Sequence, residues 1–314
     1  MKKSNSLLCS SRQEKYLFID QNRGRFSVEK MAFKLNVSVA SYYEYKSGKN
    51  LKRMVHKALL MADIKKYFNE SNRQYGSRRL SAELRSHDIG ASHTTVAKYM
   101  HQMGLRSEYY RPKFRVTTDS SHNNNVAENL LDRNFTAAEP NKVWVSDITY
   151  VSVIGGFIYL TTIIDLYDRK VVGYHISHTM RAKDTVITAL KMACKRRLKG
   201  GSAEGIMIHS DRGVQYTCGE FVKLLATLKM VRSNSRKGNC WDNAVAESFF
   251  KTLKCELVYQ YKKLLSKEMM ETKIFEYIEC WYNSRRRHSA LGNMSINEFY
   301  GMKKSQYYKN NTAS

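Results

Sequence analysis

Three carboxylates in this 314-residue chain stand where a metal-binding acid is most easily presented. Asp147 lies inside the apolar, β-rich run VWVSDITYV, Asp211 directly follows a second such run in MIHSDRGVQY, and Glu247 opens the amphipathic segment NAVAESFFKTLK. Magnesium takes oxygen ligands and keeps several waters, so a few protein carboxylates suffice, with a substrate phosphate completing the shell. Two such ions about 3.5–4 Å apart can activate an attacking oxygen and stabilise a departing one in an in-line displacement. One Asp would be shared between the ions, and the other two acids would each hold one. This chemistry needs no Ser, Cys or His nucleophile, and the chain carries neither GxSxG nor an active-site Cys–His signature.

Glu247 falls 36 positions after Asp211, and Lys251 and Lys254 follow it by four and seven, on the same helical face. There they can hold a DNA phosphate beside the metals; the plainer account is a surface Glu–Lys pair worth a few tenths of a kcal/mol. Asp165 and Asp168 are rival ligands that also read as ordinary turn residues. His209 is expected to shape the loop before Asp211 rather than bind a metal. Trp241 reads equally as core or as a wedge against DNA bases. Asp242 or Asn243 is expected to cap the next helix, so that Glu247 falls in or near its first turn.

Strands and helices must hold these residues. VWVSDITYVSV is a strand candidate, Gly155–Gly156 a tight turn, FIYLTTIID a second strand and KVVGYHIS a third. Arg181 to Leu198 reads as a helix, IMIH as a fourth strand, Gly219 to Leu228 as a helix and MVRSN as a fifth strand. The turn-rich SRKGNCWDN then leads into the helix bearing Glu247. A long helix over Ser266 to Asn283 follows, then the basic SRRRHSALG and a polar tail. The order is α/β: an antiparallel meander of three strands, then strands alternating with helices.

Upstream, residues 1–25 are polar and expected to be poorly ordered at first. Val28, Met31, Ala32 and Leu35 repeat at helical spacing, and Ser38 suits the N-cap of a second short helix, a weak helix-turn-helix outline. A better outline runs from Ser77 to His87, with Leu80 and Leu84 inward, through an Ile-Gly-Ala turn to Ser92 as cap and a helix ending at Gly104. Arg78 and Arg79 on its first helix, and His93, Thr94, Thr95 and Lys98 near the start of its second, suit groove and phosphate contacts. The alternative is a small bundle that only packs against a neighbour. Residues 106–140 hold both prolines, Pro112 and Pro140, and read as a linker. Its basic-aromatic part (Tyr109, Tyr110, Arg111, Lys113, Arg115) could follow a nucleic-acid backbone or serve as a solvated spacer.

The charge points the same way. Residues 1–140 hold 25 Lys+Arg against 13 Asp+Glu, and residues 141–314 hold 28 against 15, so a basic tail on a neutral body is excluded. A net charge of +25 spread over the whole chain fits a polyanion, most simply nucleic acid. A soluble basic protein without such a partner is the alternative. Six scattered cysteines without a CxxC pair suggest neither a zinc site nor a disulfide framework, and point to a reducing cytosol. No apolar run approaches the length of a membrane span, and MKKSNSLLCSSRQEK lacks the apolar stretch of a secretory signal. The expected location is the cytoplasm, in association with the nucleoid.

VWVSDITYV, HSDRGVQYT, SRKGNCWDNAVAESFFKTLK and YNSRRRHSALGNMS together resemble the retroviral-integrase superfamily of DDE recombinases. More narrowly, the chain is similar to the B-frame (OrfB) transposases of the insertion sequence three family. YGSRRLSAEL matches that family's helix-turn-helix, and NLLDRNFTAAEPNKVWVSDITY its entry into the catalytic core. The resemblance implies an RNase H-like α/β core with Asp147, Asp211 and Glu247 as ligands of two Mg2+ (or Mn2+) ions. It also implies strand cleavage at element ends by an activated water, then attack of the freed 3′-hydroxyl on another phosphodiester. Lys254 would be a DNA contact near the site. The implied partners are terminal-repeat and target DNA, a homo-oligomer on DNA, and the upstream A-frame product as a frameshift fusion, with no membrane. Ser146 stands where the family more often has Thr, and Ile296 where it more often has Pro. The expected layout is an N-terminal segment (1–54), a helix-turn-helix domain (55–105), a linker (106–140), the catalytic core with its C-terminal helix (141–304) and a polar tail (305–314). Two other functions compete: a nuclease on the same fold that cuts without joining, and a non-catalytic DNA-binding regulator derived from a transposase.

Overall fold

The computed structural model describes residues 11–108, 126–237, 239–261 and 263–312, and its order begins earlier than expected. Ser11 and Glu14 form a reciprocal capping box that starts α1 (Arg12–Asn22), so a helix stands within the stretch expected to lack order. Few apolar residues suffice there, because Tyr16 and Ile19 are buried with Met31, Ala32 and Tyr42. Those partners come from α2 (Val28–Leu35) and α3 (Val39–Lys46), joined through Asn36 in the left-handed region at φ 52°. Ser38 occupies the N-cap of α3, but its side chain makes no capping bond. The sequence reading leaves out α4 (Lys49–Glu70) altogether. Its apolar residues change side along its length: Leu51, Met54, Val55 and Leu59 are exposed, whereas Leu60, Ile64, Tyr67 and Phe68 are buried.

The second outlined pair is present as α5 (Ser77–Ser86) and α6 (His93–Gln102), and α4 packs on α6. Leu80 and Leu84 are fully buried, Ser92 accepts a hydrogen bond from the Thr95 amide, and Gly104 takes φ 66° just past the end of α6. The chain divides into two compact units, Met1–Glu70 with Glu83–Arg106, and Ser71–Ala82 with Ser107–Ser314. Residues 71–82, read from sequence as the entry to the helix-turn-helix, thus count with the unit that carries the sheet.

That sheet starts with the expected meander: β1 (Val143–Val153), β2 (Gly156–Asp165) and β3 (Val171–Ser177), antiparallel throughout. Gly155 and Gly156 turn the first hairpin at φ 79° and 139°, which a side chain would resist. The single helix expected from Arg181 is interrupted. A 3₁₀ turn, Ala182–Asp184, ends at Thr185, whose hydroxyl donates to the Arg181 carbonyl, and α7 (Val186–Leu198) follows. Next come β4 (Met207–Ser210), α8 (Val214–Thr217), α9 (Gly219–Thr227) and β5 (Val231–Asn234). The strand order is β3-β2-β1-β4-β5, with β1, β4 and β5 parallel, so β1 is central. A second 3₁₀ turn (Cys240–Asn243) leads into α10 (Ala244–Glu256). Then α11 (Lys267–Phe275) runs on as wider π-type turns through Glu276–Tyr282, and α12 (Ile296–Thr312) extends helix into the expected tail.

Alternate residues of β1 feed opposite cores, as the period of a strand dictates. Trp144 packs with Ile163, Leu190, Ile208 and Leu225 on the side of α7 and α9. Val145 and Val151 pack with Leu160, Phe249, Leu253 and Ile274 on the side of α10 and α11. Gly173 on β3 lets α7 approach closely, since a Cβ there would meet the Ala189 carbonyl and the Ala193 Cβ.

Candidate active site

The central strand carries Asp147, half-buried, with its Oδ1 accepting the Ile148 N–H at 2.8 Å. β4 lies parallel beside it, with Val145 opposite His209, so two residues beyond that pair come Asp147, still within β1, and Asp211, just past the end of β4. Asp211 Oδ1 accepts the Gly213 N–H at 2.9 Å, and a Cβ at Gly213 would press to 3.0 Å from that oxygen. Glycine therefore suits the turn that holds this carboxylate. Glu247 comes from the first turn of α10 and is more open to solvent.

Electrostatics tie the three acids together. Burial pushes the Asp147 carboxyl well above the ordinary carboxylate range; the charges of Asp211 and then Glu247 push the same way, while the Ile148 N–H and Lys254 oppose them. Partial burial and the charge of Asp211 also raise Glu247. Lys254 is lowered by its own burial and pulled back up by Asp147, and its Nζ lies 5.0 Å from the Tyr150 ring centre. Lys251 is exposed. Among the described residues, no three Asp, Glu, His or Cys side chains close into a finished metal cage. The arrangement is an open cluster of oxygen donors whose negative charges repel one another, with an ammonium at its edge.

The other flagged residues have separate partners. His209 is buried between the Ser233 and Ser235 hydroxyls (2.8 and 3.2 Å), and burial lowers its pKa to about 4, so it is a neutral brace for the strand ends. Asp165 and Asp168 are more than idle turn residues: both are fully buried, both pair with Arg197, and Asp168 also accepts the Tyr300 hydroxyl. Trp241 is 69% exposed, which removes it from the core. Asn243 is the N-cap of α10 but makes no capping bond; its side chain reaches β1 instead. Asp242 is held by Arg236, Arg133 and Asn129. Sequence reasoning missed the bonds that Tyr216 and Asn243 make to Ser146, beside Asp147. Their nearness to Asp211 and Glu247 was the one available signal, because their bonds end on a residue far away in sequence.

Within the N-terminal unit, His93, Thr94 and Lys98 are exposed at the start of α6, and the Thr94 and Thr95 hydroxyls bond Ser92 at 2.8 and 2.9 Å. Arg78 is exposed. Arg79 departs from the groove-contact expectation, because its guanidinium lies 3.7 Å from the buried Glu256 and 5.8 Å from the Tyr75 ring centre. The basic run after α11 is likewise turned inward: Arg286 pairs with Glu256 and Arg287 with Glu298, both arginines being buried, and only Arg285 of the three is exposed. The basic-aromatic stretch from Tyr109 to Arg115 lies outside the described residues.

Family models described as an integrase core domain match residues 137–240 and 247–303, and an HTH-like domain matches residues 56–113. Transposase InsF for insertion sequence IS3A, from Escherichia coli (strain K12), is 35% identical over 292 residues, covering 91% of this chain and 98% of the relative. The insertion element IS600 uncharacterized 31 kDa protein of Shigella sonnei is 38% identical over 259 residues, covering 82% and 93%. Among solved structures, the catalytic core domain of BIV integrase aligns with 54% of this chain and 99% of its own, at 16% identity and a TM-score of 0.38. No described helix is long and apolar enough to cross a membrane. With full-length relatives matched almost end to end and both domains in their order, the chain belongs to the insertion sequence three family of transposases, built on an integrase core domain.

Proposed function

We propose that this transposase cuts DNA at the ends of its insertion sequence and joins the freed 3′-hydroxyl to a second phosphodiester, using Asp147, Asp211 and Glu247 as its cation-holding carboxylates. One observation carries the reading: the sheet and α10 bring three acids together, with Asp147 pushed up by burial and by the charges of Asp211 and Glu247, and Glu247 by partial burial and Asp211. A divalent cation would relieve that repulsion, and an all-carboxylate donor set fits Mg2+ or Mn2+. When bound, two such ions supply activation of the attacking oxygen and stabilisation of the leaving one. The chain's own contribution is to fix the carboxylates on a central strand, in the turn just past its parallel neighbour and at a helix start. Lys254, withdrawn against Tyr150, and the exposed Lys251 hold the phosphate backbone beside them.

Arg78, His93, Thr94, Thr95 and Lys98 contact DNA from the helix-turn-helix, and a homo-oligomer in the cytoplasm holds two ends together. The upstream A-frame product, fused, completes end recognition. The supports are the basic charge of both halves of the chain and the solvent-facing start of α6. The test is strand transfer with labelled element-end DNA, Mg2+ and the full chain, with and without the fused upstream product, beside Asp211→Asn. Joined product that vanishes in Asp211→Asn is expected. Nicking that never proceeds to joining would replace the transposition reaction with a nuclease, and metal-independent binding alone would leave a regulator.

A further inference from the structure

Three hydrogen bonds converge on the residue before Asp147. Ser146 is 1% exposed, and its hydroxyl donates to the Thr162 carbonyl on β2 at 2.9 Å. Having one proton, that hydroxyl must accept at its other contact, the Tyr216 hydroxyl at 2.8 Å. The Ser146 carbonyl accepts from Asn243 Nδ2 at 3.0 Å. Tyr216 stands five residues after Asp211, in α8, with its buried ring edge-on to Phe221. Asn243 stands four residues before Glu247, at the start of α10.

A single β1 residue is therefore bonded both to the segment that carries Asp211 and to the helix that carries Glu247. We propose that Ser146, Tyr216 and Asn243 are positioning residues that set the spacing of the three carboxylates. The inference rests on the reading of Asp147, Asp211 and Glu247 as the cation-holding set. Its physical basis is burial: the Ser146 hydroxyl has given its one proton to Thr162 and accepts from Tyr216, while the Ser146 carbonyl accepts from Asn243, so neither Tyr216 nor Asn243 can slide without leaving a buried polar group unpaired. Ser146 adjoins Asp147 in the chain, and no clamp residue is more than five residues from its acid. Displacing a reacting centre by about 1 Å costs on the order of a hundredfold in rate.

The clamp can be taken apart one bond at a time. Tyr216→Phe deletes a hydroxyl and keeps the ring, Ser146→Ala removes the hub oxygen, and Asn243→Asp sets a carboxylate oxygen against the Ser146 carbonyl. Strand joining should fall about tenfold in the first two and about a hundredfold in the third. The Mn2+ concentration for half-maximal joining should rise in all three. Without DNA, the increase in melting temperature on adding Mn2+ should shrink, while binding of end DNA in EDTA stays within about twofold of wild type. Ser146→Thr, which keeps the hydroxyl, should restore both metal readouts.

Wild-type half-saturation and a wild-type Mn2+ melting shift in both Tyr216→Phe and Ser146→Ala would overturn the inference. So would losses of joining matched by equal losses of DNA binding. These two variants decide the matter even if Asn243→Asp fails to fold. Asp211→Asn separates the clamp from the site itself: if it retains joining and the Mn2+ shift, the assignment of the carboxylates falls, whereas if it loses both while the clamp variants behave as wild type, only the clamp is wrong.

Discussion

Glu256 gives the sharpest test of how the C-terminal region holds the catalytic unit together. Its carboxylate accepts two hydrogen bonds from Arg286 (2.7 and 2.9 Å) and one from the Tyr277 hydroxyl at 2.9 Å, with Arg79 at 3.7 Å. Burial would push this acid up, but the charge and hydrogen bonds of Arg286 win and hold it below the ordinary range. Glu256→Gln keeps the shape and removes the charge, leaving Arg286, itself 5% exposed, without its counterion. Breaking a buried pair from one side costs about 3–5 kcal/mol. For a domain of this size that corresponds to a fall of roughly 6–20 °C in Tm. Urea unfolding followed by circular dichroism would measure it as a lower midpoint at unchanged slope. Glu256→Gln with Arg286→Met should recover most of the loss, because replacing both charges removes the stranded one. A loss under about 1 kcal/mol, or a double variant no more stable than the single, would refute the argument.

Other perturbations follow from the same geometry. Gly173→Val should destabilise by about 1–3 kcal/mol through overpacking against Ala189 and Ala193, measured by the same denaturation. His288 is held to a pKa of about 3 by burial and then by Arg286, so the folded state binds fewer protons than the unfolded chain. Its contribution is complete above about pH 6.5 and is lost as pH falls toward the folded value, at up to about 1.4 kcal/mol per pH unit. His288→Gln should flatten the decline between pH 6.5 and 5, and an unchanged slope there would contradict it. Lys98→Ala should weaken DNA binding evenly across sequences and reduce the salt slope by about one. Arg79→Ala should leave that slope alone and lower the melting temperature instead; the reverse pattern would show Arg79 to be the DNA contact.

The strands were legible because β-branched and aromatic residues alternate between two cores, Trp144 to one side and Val145 to the other. The acids were legible because each sits at a strand centre, a strand end or a helix start. Partnership across the chain was not. Nothing near Arg286 announces that its counterion lies 30 positions away, so SRRRH reads only as a basic run while two of its arginines are buried. Asp168 passes for a turn residue until Arg197, 29 positions on, closes over it. α4 escaped notice because its apolar residues shift from exposed to buried positions along its length, which blurs a single stripe. Ser146 shows in the sequence only as a serine where the family more often has Thr, because its bonds to Tyr216 and Asn243 cross 70 and 97 positions.

Residues 71–82 bear on how such chains can be taken apart and recombined. The match to an HTH-like domain begins at residue 56, yet Gln74 donates to the Glu256 carbonyl at 2.6 Å and the Tyr75 hydroxyl accepts the Arg287 amide at 2.8 Å. A chimaera that exchanges recognition modules at residue 105 would import a foreign copy of this strip and lose the native one from the core that depends on it. Keeping the strip with the recipient takes two further seams, one after Glu70 and one within α5 after Ala82. Families that shuffle DNA-reading heads onto a shared catalytic body should therefore carry this short strip with the body, whatever head they wear.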